Sequence, residues 1–279
     1  MRLRPLTLDD VAEAERVAFA AMHSGQADDP DRAPRGQSRI AHLVELDAPG
    51  AWCAVEDGRI TGLALALVRE GLWGLSLLAV APDRQAQGLG RALLDASLTY
   101  AEGTRGQLVL SSVDPRAMRR YARAGFDLVP CVAAAGIVDR AALPAPHPGI
   151  AHGTGDDLAC TEAASRLVRG ATHVPDIPNA IDRGDRLLVL GERGFVLHRD
   201  GVVRLLAAVD EEAATALLWA ALGDAPPGAT ASVDFLSAQQ GWAVRVCVEA
   251  GLALSPDGPM FTRGDVGPLR PYLPSGAYL

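Results

Sequence analysis

Two mixed α/β domains in tandem, the second abbreviated, are what the sequence predicts, and three observations predict them. The 279 residues exceed one ordinary domain and suit two, at roughly 100–200 residues each. Short apolar strands alternate with amphipathic helices through the first half, as in a mixed α/β sheet. The end of that half then recurs: Ala243-Val-Arg245-Val-Cys247-Val-Glu-Ala250-Gly251-Leu252 aligns with Ala117-Met-Arg119-Arg-Tyr121-Ala-Arg-Ala124-Gly125-Phe126, an internal repeat.

Residues 2–7 read as a strand, and Thr7-Leu8-Asp9-Asp10 caps an apolar-periodic helix that runs through Met22. From His23 to Ser38 the chain carries Asp28, Asp29, Pro30, Asp31 and Pro34, and this density of breakers predicts a surface loop. A second helix is expected over 38–46. Ala51–Val55 and Ile60–Val68 flank a hairpin turn at Glu56-Asp57-Gly58-Arg59, and a turn at Glu70-Gly71 introduces a strand from Leu72 to Val80. Leu89, Leu93, Leu94, Leu98 and Ala101 keep helical spacing up to Gly103. Gln107–Val113 reads as a buried strand. Asp114-Pro115 supplies the N-cap and first position of a helix that Gly125 ends, before a strand at 127–134. The Pro-rich stretch 141–149 is the expected linker, which sets the domains at 1–140 and 150–279.

Apolar residues make up 49% of the chain, enough for packed cores. Lys+Arg 26 against Asp+Glu 34 gives a net charge of −8, which argues against nucleic acid as a partner and suits cationic substrates such as amines. Every basic side chain is arginine; the sequence contains no lysine. No apolar run reaches the ~18 residues that cross a bilayer, and Met1-Arg2-Leu3-Arg4-Pro5 lacks the apolar core of a secretion signal. The expectation is a cytoplasmic protein with no membrane partner, monomeric or homodimeric. Cys53, Cys131, Cys160 and Cys247 are isolated from one another, so buried thiols and no metal site are expected.

The chemistry concentrates in Gln85-Ala86-Gln87-Gly88-Leu89-Gly90-Arg91, directly after an apolar strand and directly before an amphipathic helix. Free backbone N–H groups and the positive end of the helix dipole make such a turn an anion site, and glycines let a diphosphate approach closely. A Walker loop needs a Gly-Lys pair, and a dinucleotide fingerprint needs a third glycine where Leu93 stands. Neither of those nucleotide folds is compatible with the sequence.

With Gln85, Gly88 and Gly90 in place, the segment resembles the Gln/Arg-x-x-Gly-x-Gly/Ala motif that follows the fourth strand of GCN5-related N-acetyltransferases, the GNAT family. A second element of the family, a helix ending in Tyr-x-x-x-Gly-Phe, matches Tyr121-Ala122-Arg123-Ala124-Gly125-Phe126. The resemblance covers residues 1–140. It implies a transferase that moves acetyl from acetyl-CoA to an amine, a small-molecule acceptor first, by direct attack in a ternary complex. The pantetheine arm would lie along Leu78, Ala79 and Val80, and the diphosphate on the backbone of Gln85, Ala86, Gln87, Gly88, Leu89, Gly90 and Arg91. Tyr121 takes the place of the tyrosine that protonates the departing thiolate. Asp114 stands where relatives carry an asparagine that touches the cofactor, and it also reads as a helix cap. Glu70 is a candidate base; Trp73 and the segment 23–38 are candidates to shape the acceptor pocket. His23 and His42 receive no role. A non-catalytic acyl-CoA-binding regulator is the alternative.

The second half keeps the fold and loses these parts. Leu205-Leu206-Ala207-Ala208-Val209 parallels Leu77-Leu78-Ala79-Val80, and Gly194 parallels Gly62. After Val209, however, come Asp210, Glu211 and Glu212, carboxylates where a diphosphate would sit. Cys247 replaces the tyrosine and is expected to be a buried residue. The apolar closing segment 268–279 is expected to pack, across the junction of the halves and beside the acceptor site.

Overall fold

The computed structural model describes residues 2–22 and 32–279, and the chain divides into two compact units, Met1–Gln107 and Leu108–Leu279. The first unit contains β1 (Arg2–Pro5), α1 (Val11–Met22), α2 (Arg32–Leu46), β2 (Ala51–Glu56), β3 (Arg59–Arg69), β4 (Leu72–Val80) and α3 (Leu89–Leu98). Strands β1 to β4 are antiparallel neighbours in that order. Helices α1 and α2 pack against β3, and α3 packs against β2, β3 and β4. From Ile60 to Leu67 every residue of β3 is buried, with no alternation, as a strand covered on both faces requires.

Helix α2 corrects the expectation of a loop up to Ser38, since it begins at Arg32. Pro34 is the helix's third residue, in the first turn, where no intrahelical N–H bond exists to be lost. Residues 23–31, with His23, lie outside the described residues. Strand β4 carries an extra residue: Leu65 pairs with Leu77 and Ala66 with Leu75, which leaves Ser76 as a bulge. From α2, the Arg39 guanidinium donates to the Ser76 carbonyl and, at 2.7 Å, to its Oγ. Deeper in, Asp47 is buried and accepts from Arg69 at 2.9 Å, from Tyr100 at 3.1 Å and from the Val68 backbone at 3.0 Å.

The second unit begins within β5 (Gly106–Leu110) and continues through α4 (Pro115–Arg123), β6 (Asp127–Val129), β7 (Val132–Ile137), β8 (Ala151–His152), α5 (Leu158–Arg169), α6 (Ile177–Asp182), β9 (Arg186–Val189), β10 (Gly194–Arg199), β11 (Val202–Ala208), α7 (Glu211–Gly223), β12 (Thr230–Leu236), α8 (Gly241–Glu249), β13 (Ala253–Pro256), β14 (Met260–Gly264) and β15 (Tyr272–Leu273). Its large sheet has the order β13-β7-β12-β11-β10-β9-β8, with β15 added on β11. The pair β11–β12 is parallel and the other pairs are antiparallel.

From β8 onward the element order repeats that from β1, in shortened form: β8 has 2 residues where β1 has 4, and α6 has 6 where α2 has 15. The closing strands are exchanged. β7, which ends the first repeat, lies between β12 and β13; β14, which ends the second, lies between β5 and β6. Compact units and repeats therefore do not share a boundary, and residues 138–150, where the linker is expected, hold no helix or strand.

The segment 268–279 packs, as its composition requires, with contacts to the second repeat. Tyr272, Leu273, Tyr278 and Leu279 are buried, and β15 pairs with β11.

Candidate functional site

The connection from β4 to α3 is fixed at both ends. Gln85 donates from Nε2 to the carbonyl of Val80 at 3.1 Å, which ties the turn back to the end of the strand. Leu89 and Leu93 of α3 pack with Ala54 and Ala64 and bury the far side. Between these anchors Ala86 and Gly88 take left-handed conformations, at φ +64° and +88°. A Cβ at Gly88 would meet nothing within 4 Å, so the dihedral rather than crowding favours glycine there.

No side chain caps α3, and among the described residues the backbone N–H groups of Gly88, Leu89 and Gly90 have no acceptor. Uncapped first-turn N–H groups at the positive end of a helix dipole are an anion cradle. Arg91 is 83% exposed and sits 3.4 Å from Asp95, a solvated ion pair that costs little to break.

Upstream, Leu78, Ala79 and Val80 form the last residues of β4, opposite Ala64, Leu63 and Gly62 of β3. Leu78 and Val80 pack against the α3 cluster. Trp73 is fully buried, a core residue rather than a pocket wall. Glu70 is exposed at the β3–β4 turn, and His42 is half-buried.

In the second unit Asp114 caps α4: Oδ1 accepts from the Arg116 backbone at 2.8 Å, and Oδ2 meets the Arg116 guanidinium at 2.9 Å. The Arg116 side chain holds the Asp114 carboxyl below its ordinary range. Tyr121, on the same helix, is buried against Phe261, with ring centroids 5.4 Å apart. Its hydroxyl has no hydrogen-bond partner among the described residues, and burial pushes the phenol up to about 12. Gly125, at φ +85°, ends the helix, and the Phe126 N–H returns to the Tyr121 carbonyl at 3.2 Å.

The second repeat reproduces that frame. Gly251 has φ +82°, and the Leu252 N–H returns to the Cys247 carbonyl at 2.9 Å. Cys247 is thereby the positional counterpart of Tyr121. Its thiol is fully buried and pushed up to about 12 by burial, an inert group at neutral pH. The start of α7, counterpart of α3, is filled. Asp210 caps it, accepting from the Ala213 N–H at 2.8 Å, while Arg193 binds Asp210 and Glu212 and Arg270 binds Glu211.

Sequence reasoning missed the Arg39–Ser76 contact, because a bulge is set by strand register, and it missed β15, whose two residues are too few to show a period. Among the described residues, no helix is long and apolar enough to cross a membrane, and no His, Cys, Asp and Glu cluster is arranged to hold a metal.

A model of the acetyltransferase (GNAT) family matches residues 11–126. Among solved structures, a candidate acetyltransferase from Pyrococcus horikoshii is similar at a TM-score of 0.82 and 14% identity, over 100% of this chain and 95% of its own. A GCN5-related N-acetyltransferase from Sphaerobacter thermophilus has a TM-score of 0.57 at 18% identity, over 99% and 98%. A tandem GNAT protein from the clavulanic acid biosynthesis pathway has 0.60 at 15%, over 94% and 98%. At these identities the likeness shows the fold of the whole chain, two mixed α/β repeats in tandem. No curated protein sequence matches the chain.

Proposed function

We propose that this protein transfers acetyl from acetyl-CoA to an amine, with residues 1–140 as the working repeat and 150–279 as a degenerate one, a reading supported by the match of residues 11–126 to the acetyltransferase (GNAT) family model. The observation that carries the reading is the uncapped start of α3, whose free N–H groups and left-handed Gly88 fit a diphosphate. Gly88, Leu89 and Gly90 would donate backbone hydrogen bonds, Arg91 would add charge, and Leu78, Ala79 and Val80 would present main chain to the pantetheine arm. Asp114, as a cap already engaged with Arg116, contributes by fixing α4.

In the transfer, the amine nitrogen forms a bond to the thioester carbonyl carbon, the carbon–sulfur bond breaks, and the sulfur leaves as a thiolate. Tyr121 is the proposed source of that thiolate's proton, and a phenol raised to about 12 stays protonated at neutral pH, ready to donate. The ammonium form of the acceptor loses its proton to water or to a base before attack. A net charge of −8 favours a cationic small molecule as acceptor.

The test is release of free CoA thiol across a panel of amines, for the protein and for Tyr121→Phe. Turnover with at least one amine, lost in the variant, supports the enzyme. CoA binding without turnover for any amine overturns it in favour of an acyl-CoA-binding regulator.

A further inference from the structure

Strands β11 and β12 run parallel but pair at a single position, Val202 with Ser232. Beyond it the opening is taken by β15, which contacts both strands and pairs antiparallel with β11, Leu273 opposite Leu206 and Tyr272 opposite Ala207. The fit is tight. Tyr272 and Leu273 are 0% and 1% exposed.

A built set of contacts holds the segment. Tyr272 Oη donates to the Leu279 carbonyl, which also lies 2.7 Å from His173 Nε2; His173 Nδ1 is in turn 3.1 Å from Ser165 Oγ. Arg169, fully buried, donates to the Tyr278 carbonyl at 3.3 Å, and Gln240 donates to the Leu269 carbonyl at 2.8 Å. Buried polar side chains that each bond to this segment make its placement specific.

The register of the two repeats says what the segment replaces. Gly62 pairs with Val80 in the first repeat and Gly194 with Ala208 in the second. Ala208 therefore answers to Val80, Ala207 to Ala79 and Leu206 to Leu78. The two residues that β15 pairs with are the counterparts of those assigned to the donor's pantetheine arm.

We infer that residues 271–279 are a built-in strand filling the donor cleft of the second repeat, so that each chain holds one acyl donor. The inference rests on the proposed function for the meaning of the cleft, and on the pairing of β15 alone for its being filled. Two independent features then close the second repeat: the strand along β11 and the carboxylate cap on α7.

Hydrogen exchange of the full chain, free and with coenzyme A, tests this, together with calorimetric stoichiometry. The peptide 268–279 should exchange slowly in the free chain and keep its rate when coenzyme A binds at one per chain. Leu273→Asp, which puts a charge into the opening, should speed exchange of that peptide by roughly a hundredfold or more, since local opening sets the rate. Should that variant not fold, Tyr272→Phe, which removes the hydroxyl from the Leu279 carbonyl, should speed it roughly tenfold. Unprotected exchange of 268–279 in the free chain, faster exchange on adding coenzyme A, or two bound per chain would overturn the inference. A chain that binds no coenzyme A sinks the donor-site reading instead, while protection of 268–279 still decides whether the cleft is filled.

Discussion

The starts of α3 and α7 occupy the same place in the two repeats and differ in one respect, which is whether the helix's free N–H groups are left open. At α3 a left-handed Gly88 leads into the helix with no capping side chain. At α7 Asp210 accepts from the Ala213 N–H, Glu211 and Glu212 fill the first turn, and Arg193 and Arg270 neutralise the carboxylates. The second arrangement is the better helix start by the usual rules of capping and dipole compensation. The first leaves stabilisation unused, in keeping with the anion site proposed there.

What both repeats keep is structural. Asp47 with Arg69 sits where the second repeat has Asp185 with Arg199, the acid just before the first strand of each hairpin and the arginine at the end of the second. The ion pair holds the frame in each.

The widest separation of the repeats should come from their helix residues. Tyr121→Phe is expected to lower turnover by roughly 10²–10⁴-fold, measured as CoA thiol release, whereas Cys247→Ser should leave it within about twofold, since the thiol is buried and protonated. Equal effects would erase the distinction. Next, Asp47→Ala strands a buried arginine and should cost about 3–5 kcal/mol of unfolding free energy. Asp185→Ala should cost less, because the Arg199 side chain is 21% exposed where that of Arg69 is 7%; denaturant unfolding of both variants checks the order. Gly88→Asp copies the second repeat's carboxylate into the first and should weaken coenzyme A binding by about 100-fold, close to 2.7 kcal/mol. The fold should tolerate it, since asparate visits left-handed conformations and a Cβ there meets nothing within 4 Å. Smallest is Asp210→Ala, which removes a cap worth about 1 kcal/mol. It should gain no coenzyme A binding, because Glu211, Glu212 and β15 remain.

Much of this contrast is legible in the sequence because it is local. The glycines after Val80, the Asp-Pro that opens α4, and the acids after Val209 each act within a few residues of themselves. The start of α2 was hidden by Pro34, a breaker that is harmless in a first turn. The exchange of β7 and β14 has no local signature, because pairing partners are chosen by register across roughly a hundred residues of chain. The Asp47–Arg69 and His173–Tyr272 contacts are illegible for the same reason: they join residues 22 and 99 apart.

Backbone amide shifts of a ¹⁵N-labelled chain titrated with coenzyme A locate the anion site residue by residue. The largest changes should fall on Gly88, Leu89 and Gly90, with none at Glu211 to Ala213. Changes absent from residues 88–90, or equally large at the start of α7, would contradict it.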